Sequence, residues 1–157
     1  MQKMNKKKMI AQLRLHEGER LKPYRCTAGK LTIGVGRNLD DRGLTSDEMA
    51  YLFSGGITAD QSAYLLNNDI DSHWTELLKN LPWVETLDEI RQHVLLDMAF
   101  NLGISGLLTF RRTLGHIKAG DYALASSAMM DSKWATQVGQ RAKRLSKMML
   151  TGKSYKD

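Results

Sequence analysis

The stretch His16-Glu17-Gly18-Glu19-Arg20-Leu21-Lys22-Pro23-Tyr24-Arg25-Cys26-Thr27-Ala28-Gly29-Lys30-Leu31-Thr32-Ile33-Gly34-Val35-Gly36-Arg37 decides the reading of this chain. Just before it, Met9, Ile10 and Leu13 recur with a period near 3.6, with Met4 and Leu15 on the same side. That spacing predicts a helix over about 5–16. Gly18 is its stop. The stretch itself then changes character. Pro23, the run Thr27-Ala28-Gly29-Lys30 and the alternation of Leu31, Ile33 and Val35 predict a hairpin with a short turn. Gly34 and Gly36 fall on the opposite face, where small residues let another backbone or a ligand come close.

Beyond Thr45 the chain reads as helical throughout. Thr45 with Glu48, Thr58 with Gln61 and Thr86 with Glu89 each have the spacing of a capping box. A helix from Thr58 to about Lys79, with Leu65, Leu66, Ile70, Trp74, Leu77 and Leu78 apolar, would be about 31 Å long at 1.5 Å per residue. Residues 87–102 are apolar around most of the circumference, which predicts a central buried helix with Gly103 as its stop. Shorter helices are expected near 107–119, 121–130 and 140–150. Strands gathered in one place and helices elsewhere give a predominantly helical α+β class. The whole of 1–157 reads as one domain with a β-containing lobe at about 18–58 and a connecting helix at about 59–79. A helical lobe follows at about 80–157, with the first helix packed on it. Ligands favour the junction of such lobes.

The 157 residues are 42% hydrophobic and 25% charged, an ordinary globular composition. Lys and Arg number 23 against 17 Asp and Glu, so the net charge is +6 and polyanions are attracted. A single cysteine, Cys26, excludes an intrachain disulfide. The basic N-terminus is interrupted by Arg14, His16 and Glu17 before any signal-peptide core can form, so no signal peptide and no membrane span are expected. P-loop, CxxC, HExxH and GxSxG strings are missing, and neither Gly34-Val35-Gly36 nor Phe53-Ser54-Gly55-Gly56 has the spacing of a phosphate cradle. His16, His73, His93 and His116 lack metal-ligand spacing and are expected mostly on solvent-facing helix positions, so neither metal nor cofactor is expected.

Glu17 stands apart. It ends the first helix, where a carboxylate faces the negative end of the helix dipole. That is a poor place for an anion and suits a proton donor. On position alone it reads better as a solvated glutamate at a fraying end. The surrounding string decides between these. Glu17 and Cys26 are nine positions apart and Cys26 and Thr32 six, inside the frame His16-Glu17-Gly18, Leu21, Tyr24, Gly29, Leu31-Thr32-Ile33-Gly34-Val35-Gly36. Ile57-Thr58, Leu65, Asp69-Ile70, Asp97 to Gly103, Phe110, Trp134, Gln137 and Arg141-Ala142-Lys143-Arg144 follow in order. This ordered set resembles the phage-type lysozymes, or endolysins, of glycoside hydrolase family 24, over nearly the whole chain.

The resemblance implies a two-lobed lysozyme-like fold and hydrolysis of the β-1,4 bond between N-acetylmuramic acid and N-acetylglucosamine in peptidoglycan. It makes Glu17 the general acid and puts Cys26 where most relatives carry Asp. Thr32 would hold the attacking water or the sugar. It pairs Arg141 with the catalytic glutamate and lines the cleft with Gln137, Thr113, Phe110 and Asn101. Arg37 stands where relatives often carry His and is expected to pair with Asp69. Read from its residue type alone, Cys26 is a thiolate nucleophile, a water-positioning group or a small strand residue.

Expected partners are peptidoglycan and, from the resemblance, a holin that releases the enzyme from the host cytoplasm to the periplasmic wall. The protein is expected to be a monomer. A lytic transglycosylase is the nearest alternative, since it also works with one Glu. A nucleic-acid module fits the charge, but the basic residues form no stripe interleaved with aromatics, so no nucleic acid is expected. Residues 140–156, basic on one side and apolar on the other, suit peripheral contact with an anionic envelope or an ordinary bundle helix.

Overall fold

The computed structural model describes residues 4–52 and 56–157, so Phe53, Ser54 and Gly55 of the second glycine string lie outside the described residues. The class is α+β: eight α-helices and one small antiparallel sheet among the described residues. The chain divides into two compact units, Lys6–Ser72 and His73–Asp157 with the first residues, and the boundary falls inside one long helix.

In the first unit α1 (Lys6–Glu17) buries Met9, Gln12 and Leu13. Leu15 is 50% exposed rather than on the buried side, because it sits about 200° round the helix from Leu13. Gly18 ends the helix at φ 73°, its N–H donating to the Arg14 carbonyl at 3.0 Å. Strands β1 (Arg20–Arg25), β2 (Leu31–Gly34) and β3 (Arg37–Asn38) follow in sheet order. Tyr24 faces Thr32 across the first pair, with an irregularity between Arg20 and Tyr24. The hairpin closes by Cys26 N–H to Lys30 O at 2.9 Å and Gly29 N–H to Cys26 O at 2.8 Å. What comes close to Gly34 is a side chain rather than another backbone: a Cβ there would stand 3.3 Å from Ser62 Oγ. Ile33, Ile57 and Leu65 form the local core, with Leu39, Leu44, Leu52 and Tyr64 against it.

Helix α2 (Ser46–Tyr51) opens on the Thr45–Glu48 capping box. Helix α3 (Ala59–Asn80) opens on the second box, Thr58 Oγ1 accepting from Gln61 N–H and Gln61 Oε1 from Thr58 N–H. Each cap is worth about 1 kcal/mol. The third box does not form. Thr86 closes a 3-10 turn, Pro82–Thr86, by donating to the Trp83 carbonyl. Asp88 caps α4 (Glu89–Leu108) instead, accepting from Arg91 N–H at 3.0 Å. Pro82 starts the tighter turn, and that turn consumes Thr86 before α4 begins.

In the second unit α4 is the buried helix, every residue from Gln92 to Ala99 lying inside. Gly103 breaks its geometry at φ 72°, and helix resumes beyond it to Leu108. A separate α5 (Arg111–Lys118) follows, so the helix expected over 107–119 is divided at Thr109–Phe110. Helices α6 (Tyr122–Met130), α7 (Lys133–Val138) and α8 (Gln140–Thr151) complete the unit. Helix α7 carries too few turns to show a period in the sequence. Helix α8 packs on α4, α6 and α7, with Ala142, Leu145, Met148 and Met149 buried, so its apolar face is already covered. The histidines are not on solvent-facing positions: His93 is 1% exposed and His16, His73 and His116 are half-buried. His93 lies on the all-round buried part of α4, and His73 stacks at a tilt on Phe100 with centroids 5.1 Å apart. Among the described residues no single helix is long and apolar enough to cross a membrane.

Candidate active site

Three of the expected site residues belong to the first unit. Glu17 is the last residue of α1 and is half-buried. Its charge reaches the hairpin: burial first and then the Glu17 carboxylate push the Tyr24 phenol up, with the Arg20 cation opposing. Tyr24 is also the cross-strand partner of Thr32. Thr32 is 3% exposed and donates to the Lys30 carbonyl at 3.0 Å.

Cys26 stands at the start of the turn between β1 and β2. Around its sulfur the backbone amides of Lys30 and then of Ala28 act foremost, and the Thr32 side chain less, the Thr32 hydroxyl itself donating to the Lys30 carbonyl at 3.0 Å. These donors favour a thiolate and hold the thiol below its ordinary value, against burial. Gly29, at φ 77°, permits the tight turn that brings those amides round. Lys30 is held protonated by Asp41, its Nζ 3.1 Å from the carboxylate. A carboxyl group thus ends α1, and a thiol and a buried hydroxyl lie on the hairpin that follows it. That set can deliver a proton and hold a water or stabilise a developing cation, the two tasks of glycosidic cleavage.

Arg37 supports this unit from behind. Its Nε donates to Asp69 at 2.9 and 3.1 Å, as expected. It also forks onto Glu48, Nη1 to Oε1 at 2.8 Å and Nη2 to Oε2 at 2.7 Å, and reaches the carbonyls of Gly43 and Leu65. Burial alone would lower the guanidinium; the Glu48 bonds and the Asp69 charge overcome it and raise it above its usual range. The fork, against burial and with help from Asn68, pulls Glu48 down to about 2. Burial pushes Asp69 up, against Arg37. Arg42 gives Asp69 a second cation at 3.1 Å. The capping-box spacing marks Glu48 as a helix cap, and nothing local in the sequence marks it as the partner of Arg37.

The remaining candidates belong to the second unit. Arg141, in α8, sets Nε and Nη2 at 3.0 and 2.9 Å from Oδ1 of Asp97, which is fully buried on α4. Asn101 is exposed and accepts from Trp134 Nε1–H at 2.7 Å. Trp134, 4% exposed, meets the half-buried Phe110 edge-on at 5.8 Å. Phe110 and the buried Thr113 share one cavity with Trp134. Gln137 is exposed on α7. Trp74 and Trp83 are half-buried. No group of three or more His, Cys, Asp or Glu among the described residues is placed to hold a metal ion.

A family model described as phage lysozyme matches residues 14–148. The pre-baseplate central spike protein Gp5 of Enterobacteria phage T4 is 30% identical over 169 residues, which cover 92% of this chain and 28% of the spike protein. Probable T4-type lysozyme 1 of Dictyostelium discoideum is 29% identical over 170 residues, covering 89% of this chain and 92% of the relative. Probable T4-type lysozyme 2 of the same organism is 28% identical over 162 residues, covering 92% and 95%. The chain spans just over a quarter of the spike protein and nearly all of the two lysozymes. With a matching family model over most of its length, the chain belongs to the phage lysozyme family, whose members are muramidase-type hydrolases of peptidoglycan.

Proposed function

We propose that this lysozyme cleaves the β-1,4 bond between N-acetylmuramic acid and N-acetylglucosamine, and that it acts as a phage endolysin that lyses the host. Glu17 protonates the leaving glycosidic oxygen. Cys26, in the position of a second carboxylate, faces the developing oxocarbenium centre or the attacking water. Thr32 orients that water and holds Cys26 through its hydroxyl. The observation that supports this reading is that Glu17 closes α1 directly before the hairpin that carries Cys26 and the buried Thr32, with the Cys26 thiol held below its ordinary value. An anion-favouring site at that position is what a glycosidase needs opposite its acid.

Release from the cytoplasm through a holin follows from the endolysin reading, as does action as a monomer on the periplasmic wall. Digestion of purified peptidoglycan followed by mass spectrometry tests the reaction. Reducing N-acetylmuramic acid ends are expected, and 1,6-anhydro ends would replace hydrolysis with transglycosylation. Co-expression with and without a holin, followed by culture turbidity, tests the route; lysis without any membrane hole would exclude it.

A further inference from the structure

We infer that Glu19 is a positioning residue for the hydrolytic step: through Ser62 it fixes the corner of the chain that carries Glu17. The inference rests on the reading of Glu17 as the proton donor.

The chain turns between Glu17 and Arg20. Glu17 closes α1, Gly18 takes φ 73° and β1 begins at Arg20. Glu17 is thus the last residue of a helix, where the backbone ladder runs out and ends fray. A general acid has to be held within about 0.5 Å of its working place. Glu19 supplies a hold from outside the helix. Its Oε2 accepts from Ser62 Oγ at 2.7 Å, across 43 positions, and stands 3.5 Å from Arg14 Nε in the last turn of α1. One carboxylate oxygen therefore joins the end of α1 to α3.

Ser62 is placed for this. It is 0% exposed, near the start of α3 that the Thr58–Gln61 box sets. Its Oγ is also the near neighbour of Gly34, the cross-strand partner of Arg20. A helical serine commonly gives its hydroxyl proton to a carbonyl of its own preceding turn. This one gives it to a carboxylate, at the length of a charge-assisted bond. Beside it, Ile57 N–H donates to the Leu21 carbonyl at 2.6 Å, so residues 19–21 are tied to 57–62 at two points. Glu19 acts through the backbone it shares with Glu17 and needs no contact with the sugar.

The test measures kcat and KM on soluble peptidoglycan strands for Glu19→Leu, Ser62→Ala and the double variant. Glu19→Gln is the conservative replacement, and Glu17→Gln is run alongside. Circular dichroism checks folding, and Ser62→Ala, which deletes one oxygen, reads out the bond even where Glu19→Leu fails to fold. Misplacing a reacting group by 1 Å can cost on the order of 100-fold. Each single variant is expected to lower kcat by about 10- to 100-fold with KM changed less than about twofold. The double variant is expected to lose no more than the worse single one, since both remove the same bond. Glu19→Gln, whose amide oxygen still accepts from Ser62, is expected to recover most of kcat. Native kcat in the single variants, a loss confined to KM, losses that multiply in the double variant, or a Glu19→Gln as slow as Glu19→Leu would each overturn the role. An active Glu17→Gln removes the proton donor itself, and this inference with it. An inactive Glu17→Gln beside native kcat in Glu19→Leu and Ser62→Ala removes this inference alone.

Discussion

Arg37 and Glu48, eleven residues apart and both buried, meet in a two-point fork at 2.8 and 2.7 Å. The same carboxylate accepts from the Thr45 N–H and from Asn68, so one side chain caps α2 and neutralises the guanidinium behind the hairpin. Glu48→Gln puts an amide N–H₂ against a guanidinium that it cannot accept from. Breaking one half of a buried pair costs about 3–5 kcal/mol. Urea unfolding of the variant at neutral pH is expected to show a loss in that range, and an unchanged midpoint would remove the fork as a stabilising element.

The acid limb of stability follows from the same pair. Glu48 titrates at about 2 in the folded chain against 4.5 for an ordinary glutamate. A lowered carboxyl contributes stability above its unfolded value and loses it as pH falls through the folded one. The contribution is therefore whole above about pH 4.5 and fades towards pH 2, with a size on the order of 3 kcal/mol. Asp69, pushed up by burial, holds its proton more tightly when folded and so works in the opposite sense. Urea unfolding from pH 2 to 6 is expected to show the gap between the native chain and Glu48→Gln narrowing as pH falls. A gap independent of pH is the contrary result.

For catalysis, Glu17→Gln keeps size and hydrogen bonding and removes the transferable proton. A general acid contributes roughly 10²–10⁴-fold. Turbidity loss of permeabilised cells is expected to slow by at least about 100-fold while the circular dichroism spectrum is preserved. Half the native rate would remove Glu17 from the mechanism.

Cys26 lies in a set of donors that suits an anion. Cys26→Asp is expected to keep or raise the lytic rate, because a carboxylate can use the same N–H groups. Cys26→Ser is expected to keep most of it if the thiol positions water, and to lose it by orders of magnitude if the sulfur forms a covalent glycosyl intermediate. Thr32→Val, removing a hydroxyl that favours the thiolate, is expected to shift the pH midpoint of iodoacetamide labelling upward; a fixed midpoint would show that Thr32 does not act on Cys26.

The start of α4 offers a check on capping. Asp88→Ala is expected to lower stability by about 1 kcal/mol, as the loss of an N-cap does. Thr86→Ala removes only an exposed bond to Trp83 and is expected to cost less. Thermal unfolding of the two variants ranks them, and the reverse order would restore Thr86 as the cap.

Local order is legible in the residues themselves. Periodicity places α1, α3 and the buried face of α4, and glycine marks the end of α1 and the break at Gly103. Two of three capping boxes form where the spacing puts them. These features depend on residues within about one helical turn of each other, so the chain carries them in its own short-range pattern. The ordered motifs from Glu17 to Arg144 likewise point to the family whose model matches residues 14–148.

What folding adds is long-range. Arg37 joins Glu48 across 11 positions and Arg141 meets Asp97 across 44, while the Arg37–Asp69 pair, 32 apart, is expected from the family resemblance alone. No periodicity links residues so far apart, and a charge at either end looks like any solvated side chain until burial removes its water. The amides around Cys26 are equally invisible in residue types, because every turn has N–H groups and only the path of the backbone decides where they point. His93 is buried and Thr86 is lost as a cap for the same reason: the neighbours that enclose one and claim the other are set by packing, which short-range sequence does not encode.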